Sequence, residues 1–307
     1  MIKYYKKTFK DKVLLAENEF KPGCLTYASD PEPEELSELS ERFSLDHDML
    51  SDALDPYEAP RIEVKKEATY VFTRVPQQKS VSGQFSTYPL LLVIGPDFLL
   101  AVTEGEPNFI LKALKREGVY TSQHIKLFLN IFSEIEGIFS EFLSKINKKI
   151  NFFRLNMEKI RDNDIVSFIS FEISLNEFLS ALMPARQILD TILSGRTFGL
   201  HDKDKDLLED IRLSNEQLIE RSKSSLVGLV NVRQAYEVLS SNRLNRAMRL
   251  LTTITVALAL PTMITSFYGM NVKLPFSENI YTFWFIIASA FILLLALFMT
   301  FKKRRLL

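Results

Sequence analysis

The chain has 307 residues, and its 38 lysines and arginines balance its 38 aspartates and glutamates. Net charge therefore points to neither a nucleic-acid partner nor an acidic one. Cys24 is the only cysteine, which excludes an internal disulfide framework and a CxxC metal site, and His47, His124 and His201 lack metal-ligand spacing.

Residues 1–120 mix short helix and strand signals. Asp30-Pro31-Glu32-Pro33 reads as a helix start, leading into Leu36, Leu39 and Phe43 at helical spacing. Pro56 and Pro60 punctuate a loop. Arg61–Lys66, Ala68–Val75, Tyr88–Ile94 and Phe98–Thr103 read as strands, rich in β-branched and aromatic residues, with a polar excursion from Gln77 to Ser86. Helix Asn108–Arg116 closes a small α/β domain.

From Ser122 onward the pattern is helical. Phe128, Ile131, Phe132, Ile135, Phe139, Phe142 and Ile146 form one apolar stripe, and a second helix runs from Ile165 to Leu193 across Pro184. After Gly199 no proline occurs until Pro261, so the segment from about Asp204 reads as one long stalk helix, with Leu208, Ile211, Leu218, Leu229, Val232, Tyr236 and Leu239 on its apolar side. This helix continues into a charge-free run from Leu250 to Val272. A second charge-free run spans Asn279 to Phe301. Each is long enough to cross about 30 Å of hydrocarbon as a helix.

The flanks set an expected topology. Arg243, Arg246 and Arg249 precede the first run, and Lys302, Lys303, Arg304 and Arg305 follow the second, while the connecting loop carries only Lys273 and Glu278. The positive-inside rule places both ends in the cytoplasm of a cell membrane. The lysine-rich stretch from Met1 to Val13 has no apolar run behind it, so no signal peptide is expected. The fold class is thus α+β. A cytoplasmic α/β domain (1–120) leads to a helical region with the stalk (121–249) and a first span (250–271). An outer loop (272–279), a second span (280–301) and a basic tail (302–307) follow.

On a helical wheel, Asn245, Met248, Thr252, Thr255, Ala259, Thr262 and Ser266 share one face. A face of small and hydroxyl residues avoids lipid. It is either a tight helix–helix contact or the lining of a water-filled pore, and the stripe alone leaves both open. The spans hold no carboxylate, which suits an ion that keeps its water, as magnesium does.

The stripe ends at Tyr268-Gly269-Met270-Asn271. These residues resemble the Gly-Met-Asn signature of the CorA family of magnesium and cobalt transporters. The context is similar too: Asn245-Arg246-Ala247-Met248-Arg249-Leu250-Leu251-Thr252 leads in, Pro261-Thr262 stands at the family's spacing, Tyr236 falls where the family often has tyrosine, and a short second span and basic tail close the chain. The resemblance implies a homopentameric channel for Mg2+, with Co2+ or Ni2+ as further ions and no enzymatic activity. Asn271 would form a ring of amide oxygens around the hydrated ion, and Gly269 would permit a tight turn where a side chain would clash. Met270 would pack, a thioether being a poor ligand for a hard cation. Asn245, Met248, Leu251, Ala259 and Thr262 would line the pore, with Met248 and Leu251 as a hydrophobic neck. Regulatory Mg2+ would bind between cytoplasmic domains near Asp210, with Asp97 or Glu104 as its partner. Two features depart from the family: the outer loop has one acid, Glu278, beside Lys273, and Arg249 stands where lysine is frequent. A zinc-handling ZntB-like transporter is the alternative ion reading, and a membrane-anchored coiled-coil scaffold the alternative class.

Overall fold

Residues 1–9, 13–79, 84–271 and 280–303 are described by the computed structural model. It divides into two units, Met1–Arg233 and Gln234–Leu307. The first is built on seven strands: β1 (Ile2–Lys6), β2 (Leu15–Glu17), β3 (Leu25–Ser29), β4 (Arg61–Lys65), β5 (Ala68–Gln78), β6 (Phe85–Ile94) and β7 (Leu99–Thr103). Their order across the sheet is β2-β1-β3-β7-β6-β5-β4. Only the β3–β7 pair is parallel; the β5–β6 hairpin is the longest, in register from Thr69↔Ile94 to Gln78↔Phe85.

Alternation along the strands divides two faces. Tyr70, Phe72, Leu91, Val93, Leu100 and Val102 pack with Leu36, Leu39, Met49 and Leu50 from α1 (Pro33–Phe43) and α2 (His47–Asp52). The opposite face meets α4 (His124–Leu155) and α5 (Asp162–Leu193), while α3 (Asn108–Lys115) packs on α4. Because both faces are covered, β6 and β7 are apolar runs with little alternation in residue type, Leu90 to Ile94 and Leu99 to Val102 all buried.

The helix start at residues 30–33 is a capping box: Glu32 caps, Pro33 occupies the first turn, and the Glu32 N–H donates to Glu35 Oε2 at 3.0 Å. Four strand expectations fall on β4 to β7, with β5 and β6 each three residues longer, into the polar excursion; residues 80–83 of that excursion lie outside the described residues. The polar residues stay in strand because the Gln77↔Ser86 and Gln78↔Phe85 pairs continue the ladder. Pro184 does not interrupt α5, which ends at Ser194 with Gly195 in the left-handed region (φ 72°).

The long helix is α6 (Asp202–Tyr268), 67 residues with Pro261 inside it. Leu208, Ile211, Leu218, Leu229 and Val232 are buried on its first-unit part. There Ser225 Oγ donates to Asn147 Oδ1 at 2.6 Å on α4, and Arg233 pairs with Glu172 of α5 at 2.8 Å. The second unit holds the rest of α6 and α7 (Tyr281–Lys303).

Among the described residues, three helices are long and apolar enough to cross a membrane, one more than composition led us to expect. The third is in α5, Asp164–Leu193. A third of its apolar window is buried, against 6% for α6 and none for α7. Phe168, Leu175, Phe178, Leu182, Leu189 and Ile192 of α5 are core residues of the first unit. Its apolarity is that of a core helix covering a sheet.

Candidate ion pathway

The stripe residues of α6 lie on a helix whose hydroxyl protons are already used. Thr252 Oγ1 donates to Met248 O at 2.9 Å, Thr255 Oγ1 to Leu251 O at 2.9 Å, and Thr262 Oγ1 to Leu258 O at 2.8 Å. Such bonds to the carbonyl four residues back are the ordinary resting place of a helical threonine. They leave the hydroxyl lone pairs facing outward as acceptors.

Asn245, Met248, Thr252, Thr255, Ala259, Thr262 and Ser266 are all exposed, and so is Leu251, one position off the stripe. The half-buried positions are Thr253, Ala257, Leu260, Pro261 and Ile264. At 3.6 residues per turn the centres of the two sets lie roughly 160° apart on the helix. In α7 the half-buried positions Ile286, Ser289, Ala290, Leu293, Leu294, Leu297 and Phe301 also form one stripe, while Trp284, Phe285, Phe291, Ile292 and Phe298 are exposed. The hydroxyl face of α6 is thus turned away from the covered side of its own unit.

The helix closes at the signature. Gly269 N donates to Thr265 O and Ser266 O, both at 3.1 Å, and Met270 N to Phe267 O at 3.3 Å. The steric reason inferred for Gly269 does not hold within one chain. A Cβ there would meet Ser266 O at 3.5 Å and Thr265 O at 3.7 Å, which are ordinary contacts, and its φ is not positive. Met270 is 53% exposed, so it does not pack within its own chain. Asn271 is exposed and ends the described stretch. The outer loop 272–279, with Lys273 and Glu278, and the end of the basic tail, 304–307, lie outside the described residues, as do the side chains of Lys302 and Lys303.

Asp210 is exposed on α6, Asp97 in the β6–β7 turn and Glu104 just after β7. One chain does not bring them together as a cluster: among the described residues no three His, Cys, Asp or Glu side chains are grouped to hold a metal. The histidines are closer than their spacing suggests. His124 and His201 line the same cavity, of about 1020 Å³, where Lys66, Glu67, Lys126 and Asp204 mix both charges. Burial depresses the pKa of His124, opposed by Asp97.

Two buried acids of α4 escaped the sequence reading. Glu134 is clasped by Lys112 at 2.8 Å and Arg116 at 2.5 Å. Glu136 has no such cation. Burial pushes its pKa up to about 8, partly offset by Ser214 and Asn215 of α6. The available signal was position: Glu136 follows Ile135 and precedes Phe139 by three, which puts an acid on the apolar stripe of α4.

The family model described as "CorA-like Mg2+ transporter protein" matches residues 27–303. The cobalt/magnesium transport protein CorA of Methanocaldococcus jannaschii is 24% identical over 282 residues, 89% of this chain and 88% of that protein. The complete structure of the CorA magnesium transporter from the same organism superposes with a TM-score of 0.83 at 21% identity, covering 99% of this chain and 98% of the other. The cytoplasmic domain of ZntB from Vibrio parahaemolyticus superposes with a TM-score of 0.63 at 11% identity, covering 78% of this chain and 98% of that domain.

Proposed function

Because the chain belongs to the CorA-like Mg2+ transporter family, we propose that it is a membrane channel for hydrated Mg2+, built from five copies around the hydroxyl face of α6. On this reading α6 from about Leu250 and α7 are the two spans. Both termini lie in the cytoplasm, with Arg243, Arg246 and Arg249 at the inner surface. The α5 helix stays in the soluble unit, where its apolar residues cover the sheet.

The observation that carries the proposal is the exposed row of acceptors on α6. Waters held by a divalent cation point their hydrogens outward, so a hydrated ion is recognised by acceptors rather than donors. Thr252, Thr255 and Thr262 spend their own protons on backbone carbonyls and present only lone pairs. No acid lies between Asn245 and Asn271. A neutral lining holds the ion weakly enough to release it. Magnesium suits such a path because it gives up water reluctantly.

Asn271 supplies the narrowest discrimination. Five amide oxygens at the mouth accept hydrogen bonds from the ion's waters and leave the first hydration shell intact. Gly269 keeps five chains close at that level, since the chain itself sets no steric demand for it. Met248 and Leu251, 58% and 66% exposed in one chain, form the neck that closes by dewetting when five copies meet. Mg2+ bound near Asp210 between neighbouring soluble units biases the assembly toward the closed arrangement. The relative's name carries cobalt as well as magnesium, so Co2+ is a second permeant ion.

The test is uptake of Mg2+, Co2+, Ni2+ and Zn2+, each in turn, by liposomes holding the purified chain or Asn271→Ala. We expect Mg2+ uptake in the wild type and its loss in the variant with assembly intact. Normal Mg2+ uptake by Asn271→Ala removes the asparagine ring. Preferential Zn2+ uptake by the wild type replaces the magnesium reading with the zinc one.

A further inference from the structure

Glu136 sits where α4 packs on α6, and it is 5% exposed. Ser214 and Asn215 of α6 are its polar neighbours there and favour its ionised form, partly offsetting burial. Even so, Glu136 Oε1 and Asn215 Oδ1, each shut off from solvent, have no hydrogen-bond partner. Two buried acceptors left unsatisfied in one contact are costly, because each has lost water and gained nothing. They cannot satisfy each other, since neither oxygen carries a hydrogen while the acid is ionised.

Nearby charges do not resolve the conflict. On α4, Glu134 is occupied by Lys112 and Arg116 from the α3 side. On α6, Arg212 and Glu216 are engaged in a half-exposed network with Arg186 and Asp190 of α5. None of these charges acts on the Glu136 carboxyl, which responds to burial and to Ser214 and Asn215. A proton does resolve it. Protonation removes the buried charge and turns one of the carboxyl's acceptors into a donor.

We propose that Glu136 is a proton-binding site in the seam where α4 meets α6, the seam that Ser140 and Ser144 share with Arg221, so that protonation holds the stalk helix against α4 and deprotonation loosens it. With the proton bound, the seam holds a neutral carboxyl. With it lost, the seam holds a buried carboxylate that no neighbouring cation offsets. Any movement of α6 that opens this seam to water lowers the proton affinity, and by linkage proton release favours that movement. The site is a property of the first unit and stands whether or not the chain conducts Mg2+. Only its consequence for flux rests on the channel reading.

The sign of the stability effect follows from the raised pKa. The unfolded carboxyl releases its proton near the ordinary glutamate value of 4.5, whereas the folded one keeps it to about 8. The site's contribution is therefore fully present below about 4.5 and is lost as pH rises toward about 8, where it levels off. Glu136→Gln, an isosteric group with its own donor, carries no such dependence.

The experiment uses the purified full chain in detergent. Infrared difference spectra, wild type minus Glu136→Gln, should show the carbonyl stretch of a protonated carboxyl at pH 6.5 and its disappearance with a midpoint near 8. Ser214→Ala, which removes a donor to the ionised form, should move that midpoint upward. Backbone hydrogen exchange in Ile211–Ser222 should match between wild type and Glu136→Gln at pH 6.5 and be faster in the wild type at pH 9. Absence of the protonated-carboxyl band at pH 6.5, or a midpoint in the ordinary carboxylate range, overturns the proposal. So does a Ser214→Ala midpoint that does not move, which keeps the test decisive if Glu136→Gln fails to fold. Loss of all ion uptake with the titration intact would instead count against the channel reading alone.

Discussion

Replacing Thr255 or Thr262 by valine tests the hydroxyl face most directly. Valine keeps the branched shape, so helix preference and rotamer are nearly unchanged. The structure identifies what is removed. In each case an exposed Oγ1 is lost, together with its bond to the carbonyl four residues back, at 2.9 Å for Thr255 and 2.8 Å for Thr262. Loss of that local bond costs the fold little, because the carbonyl keeps its backbone donor. In a ring of five copies each substitution removes five acceptors, and the passing ion loses at least one that met a polarised water. A hydrogen bond to a charged partner is worth roughly 1.5–3 kcal/mol. At the low end, which suits a contact made through a bound water, flux falls about tenfold, since 1.4 kcal/mol is a factor of ten. Thr253→Val is the control. Thr253 is half-buried on the covered side of the helix, well away from the stripe, and its loss should leave flux within about a factor of two of wild type. The assay is initial Mg2+ influx into liposomes loaded with a magnesium-sensitive dye, normalised to assembled protein. Equal fluxes for wild type, Thr255→Val and Thr262→Val would refute the acceptor-lined pathway, as would a Thr253→Val defect as large as theirs.

Two further expectations concern assembly and control. Detergent-solubilised protein should have the mass of five copies of the 35.4 kDa chain, and a stable monomer or dimer would reject the ring. Asp210→Ala should require more Mg2+ on the cytoplasmic side to shut the channel, by about tenfold if one bridging carboxylate is worth about 1.4 kcal/mol, with ion selectivity unchanged. Superimposable inhibition curves for wild type and Asp210→Ala would remove that residue from gating.

Which features could be read from the sequence depended on how local their causes are. The helix start at residues 30–33, the apolar stripe of α4 and the unbroken run behind α6 have local causes, set by neighbours within a turn or so of helix, so the sequence pattern exposed them. The strands β1, β2 and β3 were missed because Tyr4, Tyr5, Tyr27 and Ala28 become strand through pairing across the sheet, including a parallel partner some 74 positions away at Leu99. Glu136 showed only as an acid on an apolar stripe. Its significance depends on Asn215, 79 positions later, and on the absence of a cation of the kind that Lys112 and Arg116 give Glu134. His124 and His201 were set aside for their spacing, although folding brings them to one cavity. Gly269 failed in a different way. Its presence was noticed, but the reason given was local, and local geometry leaves room for a Cβ. The same reasoning bears on the stripe it terminates. Thr252, Thr255, Thr262 and Ser266 face away from the covered side of their own unit, and against lipid the threonine lone pairs would have nothing to accept from. On the proposed reading, what meets them is water and the same face of other copies. On that reading the residues are legible one chain at a time, while the constraint on Gly269 and the work of the acceptors would arise only where five chains converge.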